Sequence, residues 1–249
     1  MSDVVVSRDG QVAVVTLARG KVNALNESMV GELRECFGRL EKDQAIRSVM
    51  LTGQGRFFSF GFDIPEFFDC SREDFTGFVT RFTELYTFLF LFPKPVIAAL
   101  NGHAMAGGCM LATACDYRVM VDGKSKISLN EISFGATVLA GSVYMLRACV
   151  GHRNAEKILS GGSLYSAQEA LEAGLIDQAA DPQRLADVSM QIASEFGRKD
   201  SRAFSSIKQL LREPVARRMR QDEPRSVNEF VNIWYSASVR ENLRQIKIF

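Results

Sequence analysis

The sequence carries almost no net charge. Lysine and arginine total 30 against 29 acidic residues, a formal balance of +1 at pH 7. That balance gives no broad attraction to nucleic acid or to an anionic membrane surface, and neither is expected as a partner. A local basic cluster can still hold one anionic ligand. Histidine is scarce: His103 and His152 are the only two, and both are read as structural. The cysteines, Cys36, Cys70, Cys109, Cys115 and Cys149, are odd in number and form no C-x-x-C pair. A disulfide framework or a metal site is therefore not expected. Several lie in apolar helical contexts and read as small buried residues, which suits a reducing compartment. No run approaches ~18 uninterrupted apolar residues, so no membrane span is expected. MSDVVVSRDG does not read as a secretory signal and QIKIF is no ER or peroxisomal address. The cytoplasm is the expected compartment.

What is present is an ordinary globular composition, 47% hydrophobic and 24% charged over 249 residues. A chain of this length can bury a core without staples. Residues 3–8 and 11–18 read as two strands joined at Asp9-Gly10, a type I′ hairpin signal. Asn26 can cap a helix over about 27–43, with Met29, Val30, Leu33, Phe37 and Leu40 on one face. Residues 46–52 and 94–100 read as buried strands, each followed by a glycine-bearing loop and a helix. The last 110 residues or so read as mostly helical. Ser166-Ala-Gln-Glu169 is a capping box, and Gly174 ends its helix. Asp181-Pro182 pairs an N-cap with a proline at the first helical position. A final helix is expected over about 225–245, carrying Trp234. The alternating charges of 212–225 read as a solvated helix face. A boundary near 195–200 separates a core, residues 1–197, from a helical C-terminal region, residues 198–249.

Phenylalanine is unevenly spread, with twelve of the 18 between Phe57 and Phe92. A helix-to-sheet core accounts for most of them. FFSFGF, however, is no helix stripe and surrounds a glycine loop, which puts Phe60 and Phe62 forward as pocket residues.

Two strand–loop–helix crossings stand out, SFGFDI at 59–64 and AGGCM at 106–110. In each, glycine lets the chain turn sharply and lets a ligand come close. In each, a helix beginning just after leaves N–H groups free at its positive end. Two such N–H groups aimed at one spot would hold an oxyanion, worth ~3–4 kcal/mol per donor in a transition state.

NGHAMAGGCMLATACDYR, residues 101–118, resembles the signature of the crotonase (enoyl-CoA hydratase/isomerase) superfamily, N-G-x-x-x-G-G-G-x-x-L-A-x-x-C-D-x-R. Asn101, Gly102, Gly107, Gly108, Leu111, Ala112, Cys115, Asp116 and Arg118 match, and Ala106 replaces the first glycine of the triplet. SFGFDI resembles the family's S-A-G-x-D-I loop, with Phe60 for alanine, and KVNALN at 21–26 resembles its N-A-L turn. The resemblance spans about residues 3–245. It implies an α/β fold, a crotonase-like spiral of β-β-α units with a helical C-terminal region that serves trimerisation and forms a lid. It implies an acyl-CoA thioester as substrate, no further cofactor or metal, and a homotrimer or dimer of trimers. The N–H groups of Phe62 and Gly107 would form the oxyanion hole. Lys21, Ala24, Phe60, Gly61, Phe62, Asp63, Ile64, Gly107 and Asn130 would contact the substrate. Arg19, Arg244 and Lys247 are further candidates for the coenzyme A phosphates, with ordinary solvated surface the competing reading.

Family hydratases place one glutamate three residues after the position of Gly107 and a second about twenty residues on. Here the first is Met110, which cannot hold a proton. The second falls at Glu131, in KISLNEISFG. One carboxylate suffices to move a proton from C2 to C4 of a 3-enoyl thioester. LNE at 129–131, with A-G-G-C and C-D-Y-R, resembles the Δ3,Δ2-enoyl-CoA isomerase branch. The expected activity is therefore an isomerase with Glu131 as its single acid/base. A hydratase working with Glu131 alone and a non-catalytic acyl-CoA-binding protein are the alternatives. A serine peptidase on the same spiral ranks last, because no G-x-S-x-G elbow is present. Asp116 and Arg118, two apart, are expected to pair or cap. Asp63 is expected to hold its loop.

Overall fold

Two valine-rich runs build the first hairpin. β1 (Val4–Asp9) runs antiparallel to β2 (Val12–Leu17), with Asp9 opposite Val12. The structure, a computed structural model, describes residues 2–246. The turn is Gly10-Gln11, and only Gly10 takes positive φ. A type I′ turn needs positive φ at both central residues, so that expectation is corrected. α1 (Glu27–Lys42) follows, and the Asn26 side chain accepts from the Met29 N–H at 3.0 Å. Its expected apolar face is buried.

A repeating path then begins. β3 (Ser48–Gly53) enters a large sheet, the chain turns a corner, and β4 (Phe57–Ser59) enters a small one. α2 (Ile64–Phe68) and α3 (Arg72–Leu91) come next. β5 (Val96–Leu100), β6 (His103–Met105) and α4 (Gly107–Ala114) repeat the path. So do β7 (Tyr117–Val121), β8 (Ile127–Ser128), a 3₁₀ turn at Glu131–Phe134 and α5 (Ala140–Gly161). The chain continues through α6 (Ala167–Glu172), β9 (Gln178–Ala180), α7 (Leu185–Gly197), α8 (Ser201–Trp234) and α9 (Ala237–Gln245). The large sheet has the order β1-β2-β3-β5-β7-β9, parallel beyond β2, and the small one the order β4-β6-β8. This is the expected spiral of β-β-α units.

The period of two in the strands divides the core. Met50, Ile97, Ala99, Val119 and Val121 face α7 and its Leu185 and Ala193. Val49, Leu51, Val96, Ala98 and Leu100 belong to the main core on the other face. β5 is buried along its whole length, as a central parallel strand should be. α3 carries Phe75, Phe78, Phe82, Tyr86 and Phe90 into the main core, where α8 covers them with Met219, Val227, Phe230 and Trp234. Each fully buried side chain of this size contributes ~1.5–3 kcal/mol by leaving water.

Three helix expectations change. α7 begins at Leu185, and Asp181-Pro182 instead opens a turn in which the Asp181 carbonyl accepts from Arg184 and Leu185. The capping box at Ser166 forms as read. The single helix over 225–245 is two: α8 starts at Ser201, runs through Pro214 and Pro224, and stops at Trp234, and α9 follows. Packing on α3 and α5 overrides the local cost of the prolines. The 212–225 stretch is not a solvated face throughout, because Ala216, Met219 and Glu223 are buried.

Candidate active site

The early turn holds the first loop. Buried Asn23 sits at φ 50 and donates to the carbonyls of Gln54 at 3.0 Å and Phe57 at 2.8 Å. Its own carbonyl accepts from Ser59 Oγ at 2.8 Å. The Leu25 N–H donates to the Gly61 carbonyl at 2.7 Å, and the Asp63 N–H donates to the Leu25 carbonyl at 2.9 Å. The main chain is thus tied down on both sides of Phe62, whose own N–H has no acceptor among the described residues. The Phe62 ring is anchored edge-on to Phe78 and Phe82, with centroids 4.9 and 5.0 Å away.

The second loop lies directly on the first. Gly61 takes φ +96, and a Cβ there would sit 3.0 Å from the Met105 carbonyl and 3.2 Å from the Gly107 nitrogen. Gly108 packs so tightly on β4 that a Cβ would meet the Ser59 carbonyl at 2.4 Å. Ala106 adopts φ 47, ψ −116, a conformation that costs a non-glycine residue about 1–3 kcal/mol. Its N–H donates to the Ser128 carbonyl at 2.8 Å, which holds it there. α4 begins at Gly107, whose N–H also has no acceptor among the described residues.

Both loops open on a cavity of about 180 Å³. Phe60, Phe62, Ile64, Gly107, Asn130 and Glu131 line it, as does Met110. Lys21, Ala24, Gly61 and Asp63 do not. Lys21 is exposed, Ala24 and Gly61 are buried, and Asp63 caps α2 by accepting from Glu66. Glu131 opens the 3₁₀ turn, is 3% exposed, and neither carboxyl oxygen has a hydrogen-bond partner. Burial away from water pushes its pKa up to about 8. A carboxyl so placed can take and return a proton near neutral pH. It is the only Asp, Glu, Lys, Arg or His on the wall among the described residues.

Sequence reasoning missed the far wall. Phe134, Phe230, Trp234 and Ile246 close the cavity. They come from the 3₁₀ turn, α8 and the end of α9, and no local motif marks them. A larger groove of about 620 Å³ lies between α3 and α8. Its buried carboxyl, Glu223, is already engaged, accepting from Tyr86 and, at 2.7 Å, from the Gly141 N–H.

Other candidates resolve into supports. Arg19 is not free for phosphate: it pairs with Asp63 at 2.6 Å and Glu66 at 2.7 Å. Arg244 pairs with Glu241 at 2.8 Å. Lys247 lies outside the described residues. Asp116 and Arg118 do not pair with each other. Asp116 accepts from Lys208 at 2.7 Å and faces Arg212 at 3.1 Å, whereas Arg118 reaches Asp177 at 2.7 Å. His103 Nδ1 accepts from the Lys126 N–H at 3.2 Å, a structural role.

The profile of a family described as enoyl-CoA hydratase/isomerase matches residues 7–245. The chain belongs to that family. Among its relatives is a probable enoyl-CoA hydratase of Bacillus subtilis, 33% identical over 85% of this chain and 82% of the relative. The mitochondrial enoyl-CoA delta isomerase 1 of Homo sapiens is 29% identical over 94% of this chain and 78% of its own. The crystal structure of the human mitochondrial delta3-delta2-enoyl-CoA isomerase superposes with a TM-score of 0.93 at 29% identity, covering 97% of this chain and 95% of that one. This enoyl-CoA hydratase/isomerase family member shares its fold with relatives of both names.

Proposed function

We propose that the protein is an enoyl-CoA isomerase that shifts the double bond of a 3-enoyl-CoA to the 2-position. The observation that carries this reading is that Glu131 is the single carboxyl on the cavity wall among the described residues, with Met110 where a second would stand. The thioester carbonyl oxygen accepts from the N–H groups of Phe62 and Gly107. The Glu131 carboxylate takes a proton from C2. The electron pair runs through C1 to the thioester oxygen and leaves a dienolate that the two donors stabilise. The pair then returns, C2=C3 forms as C3=C4 opens, and the Glu131 carboxylic acid delivers its proton to C4. No water takes part, and the apolar wall around Met110 keeps it away from the double bond.

Lys21, Ala24, the backbone of residues 60–64 and Asn130 contact the coenzyme A thioester in this reading. The helical region from residue 198 onward forms the lid and the contacts of a homotrimer or dimer of trimers. Hydration is the second reading, favoured by the hydratase names among relatives of similar identity. Product analysis decides. Conversion of trans-3-hexenoyl-CoA to the 2-enoyl product, with little 3-hydroxyacyl product from crotonyl-CoA, is the expected result. Hydration of crotonyl-CoA with no double-bond shift would overturn it, and silence on both would favour binding without turnover.

A further inference from the structure

Two side chains on the cavity wall, Glu131 and Trp234, hold buried polar atoms with no hydrogen-bond partner among the described residues. The carboxyl of Glu131 is taken up by the proton transfer. The indole N–H of Trp234 has no part in it. Trp234 is 2% exposed. Its ring lies against Phe75, centroids 4.7 Å apart at 31°, and beside Phe230 at 6.0 Å and 27°. Packed so, the indole is a fixed donor that cannot swing away to find another acceptor. Buried donors left unmet are rare in folded proteins and call for a reason. Asn130, also on the wall, is only partly buried, so solvent can satisfy its amide.

We propose that Trp234 sets acyl specificity: its N–H selects acyl groups that carry a hydrogen-bond acceptor on the chain, beyond the reacting carbons. The inference rests on reading the cavity as the acyl pocket. Its size suits a short chain, since a cavity of about 150 Å³ takes up benzene, six carbons, and this one is about 180 Å³. A plain hydrocarbon chain would leave the N–H unmet, as it stands in the free protein. An acceptor on the chain would satisfy it. A site with a buried donor rejects the analogue that cannot pair with it far more strongly than an apolar wall rejects a missing methylene.

Trp234 is the chain's sole tryptophan, so its emission reports on the cavity directly. The test titrates the full-length protein with hexanoyl-, 4-oxohexanoyl- and 5-oxohexanoyl-CoA, which are saturated and have no double bond to shift. Calorimetry gives the affinities. One oxo compound should bind at least about tenfold tighter than hexanoyl-CoA, as expected for an otherwise unmet buried donor. It should also move the emission to the red. In Trp234→Phe that preference should shrink to about twofold or less. Equal binding of all three, or a preference that survives Trp234→Phe, would overturn the proposal. If the variant does not fold, the wild-type affinities and emission still decide. Binding of none of the three sinks the acyl-pocket reading and this proposal with it. Loss of trans-3-hexenoyl-CoA turnover with the oxo preference intact sinks only the isomerase reading.

Discussion

Glu131 and Met110 line one cavity, and of the two only Glu131 can hold a proton. Every step of the proposed isomerisation passes through that carboxyl. Glu131→Gln keeps the shape of the side chain and removes the base. The double-bond shift should fall by at least ~10²-fold in kcat, the lower end of what a positioned acid/base contributes. Single-turnover conversion of trans-3-hexenoyl-CoA measures it, and near-wild-type turnover would remove Glu131 from the mechanism.

Met110→Glu restores a second carboxyl to the wall. Two carboxyls can hold and activate a water, so hydration of crotonyl-CoA should rise above the wild-type level. The readout is 3-hydroxybutyryl-CoA by chromatography. No gain, in a variant that still binds acyl-CoA, would show that Met110 does not decide between the two reactions.

Rate and pH should be linked through the same group. Glu131 has its pKa raised to about 8, and only its carboxylate form can take the C2 proton. kcat/KM should therefore climb as pH rises through about 8 and level off above it. A profile flat from pH 6 to 9, with the wild-type product, would contradict a base of this kind.

Stability should move the opposite way. Glu131 and Glu223 are both held protonated by burial, with pKa values pushed up to about 8 and about 7. Between the unfolded carboxyl value, ~4.3, and those figures, the folded state keeps protons that the unfolded chain has released. Stability is therefore fully present below that range and declines as pH rises through it. Urea midpoints measured from pH 5.5 to 8 should fall. Lys208, whose pKa is lowered to about 8 by burial, stays charged in both states over most of this range and does not reverse the trend. A midpoint that rises with pH would mean that neither carboxyl is buried as described.

Much of this was legible in the sequence because the signals are local. A capping Asn26, an alternating or wholly apolar strand and a glycine before a helix each act over a few residues, so strands, α1 and both loops appear where expected. What stayed hidden is carried by contacts between distant residues. Nothing near Trp234 says that it closes a cavity opened by Gly107. The two prolines of α8 argue locally for breaks that the packing on α3 removes. Asp116 and Arg118 looked like partners because they stand two apart, yet β7 starts at Tyr117, between them. Asp116 thus precedes the strand, where its carboxylate meets Lys208 and Arg212, residues that only the fold brings near.

That cluster gives the last prediction. Asp116 is 8% exposed at its side chain and Lys208 4%. Asp116 also accepts from the Val96 N–H at 2.8 Å, so one carboxylate serves β5 and α8 at once. Arg212 strengthens the join by donating to the carbonyls of Phe90 at 2.9 Å and Ala114 at 3.0 Å, the latter at the end of α4. Asp116→Ala would leave a buried ammonium unpaired, which costs about 3–5 kcal/mol. Lys208→Met in the same background removes that stranded charge and should recover part of the loss. Denaturant unfolding of both variants measures the difference. If the double variant is no more stable than Asp116→Ala alone, the loss comes from the Val96 bond or from packing, and the buried pair is not what fastens α8 to the sheet.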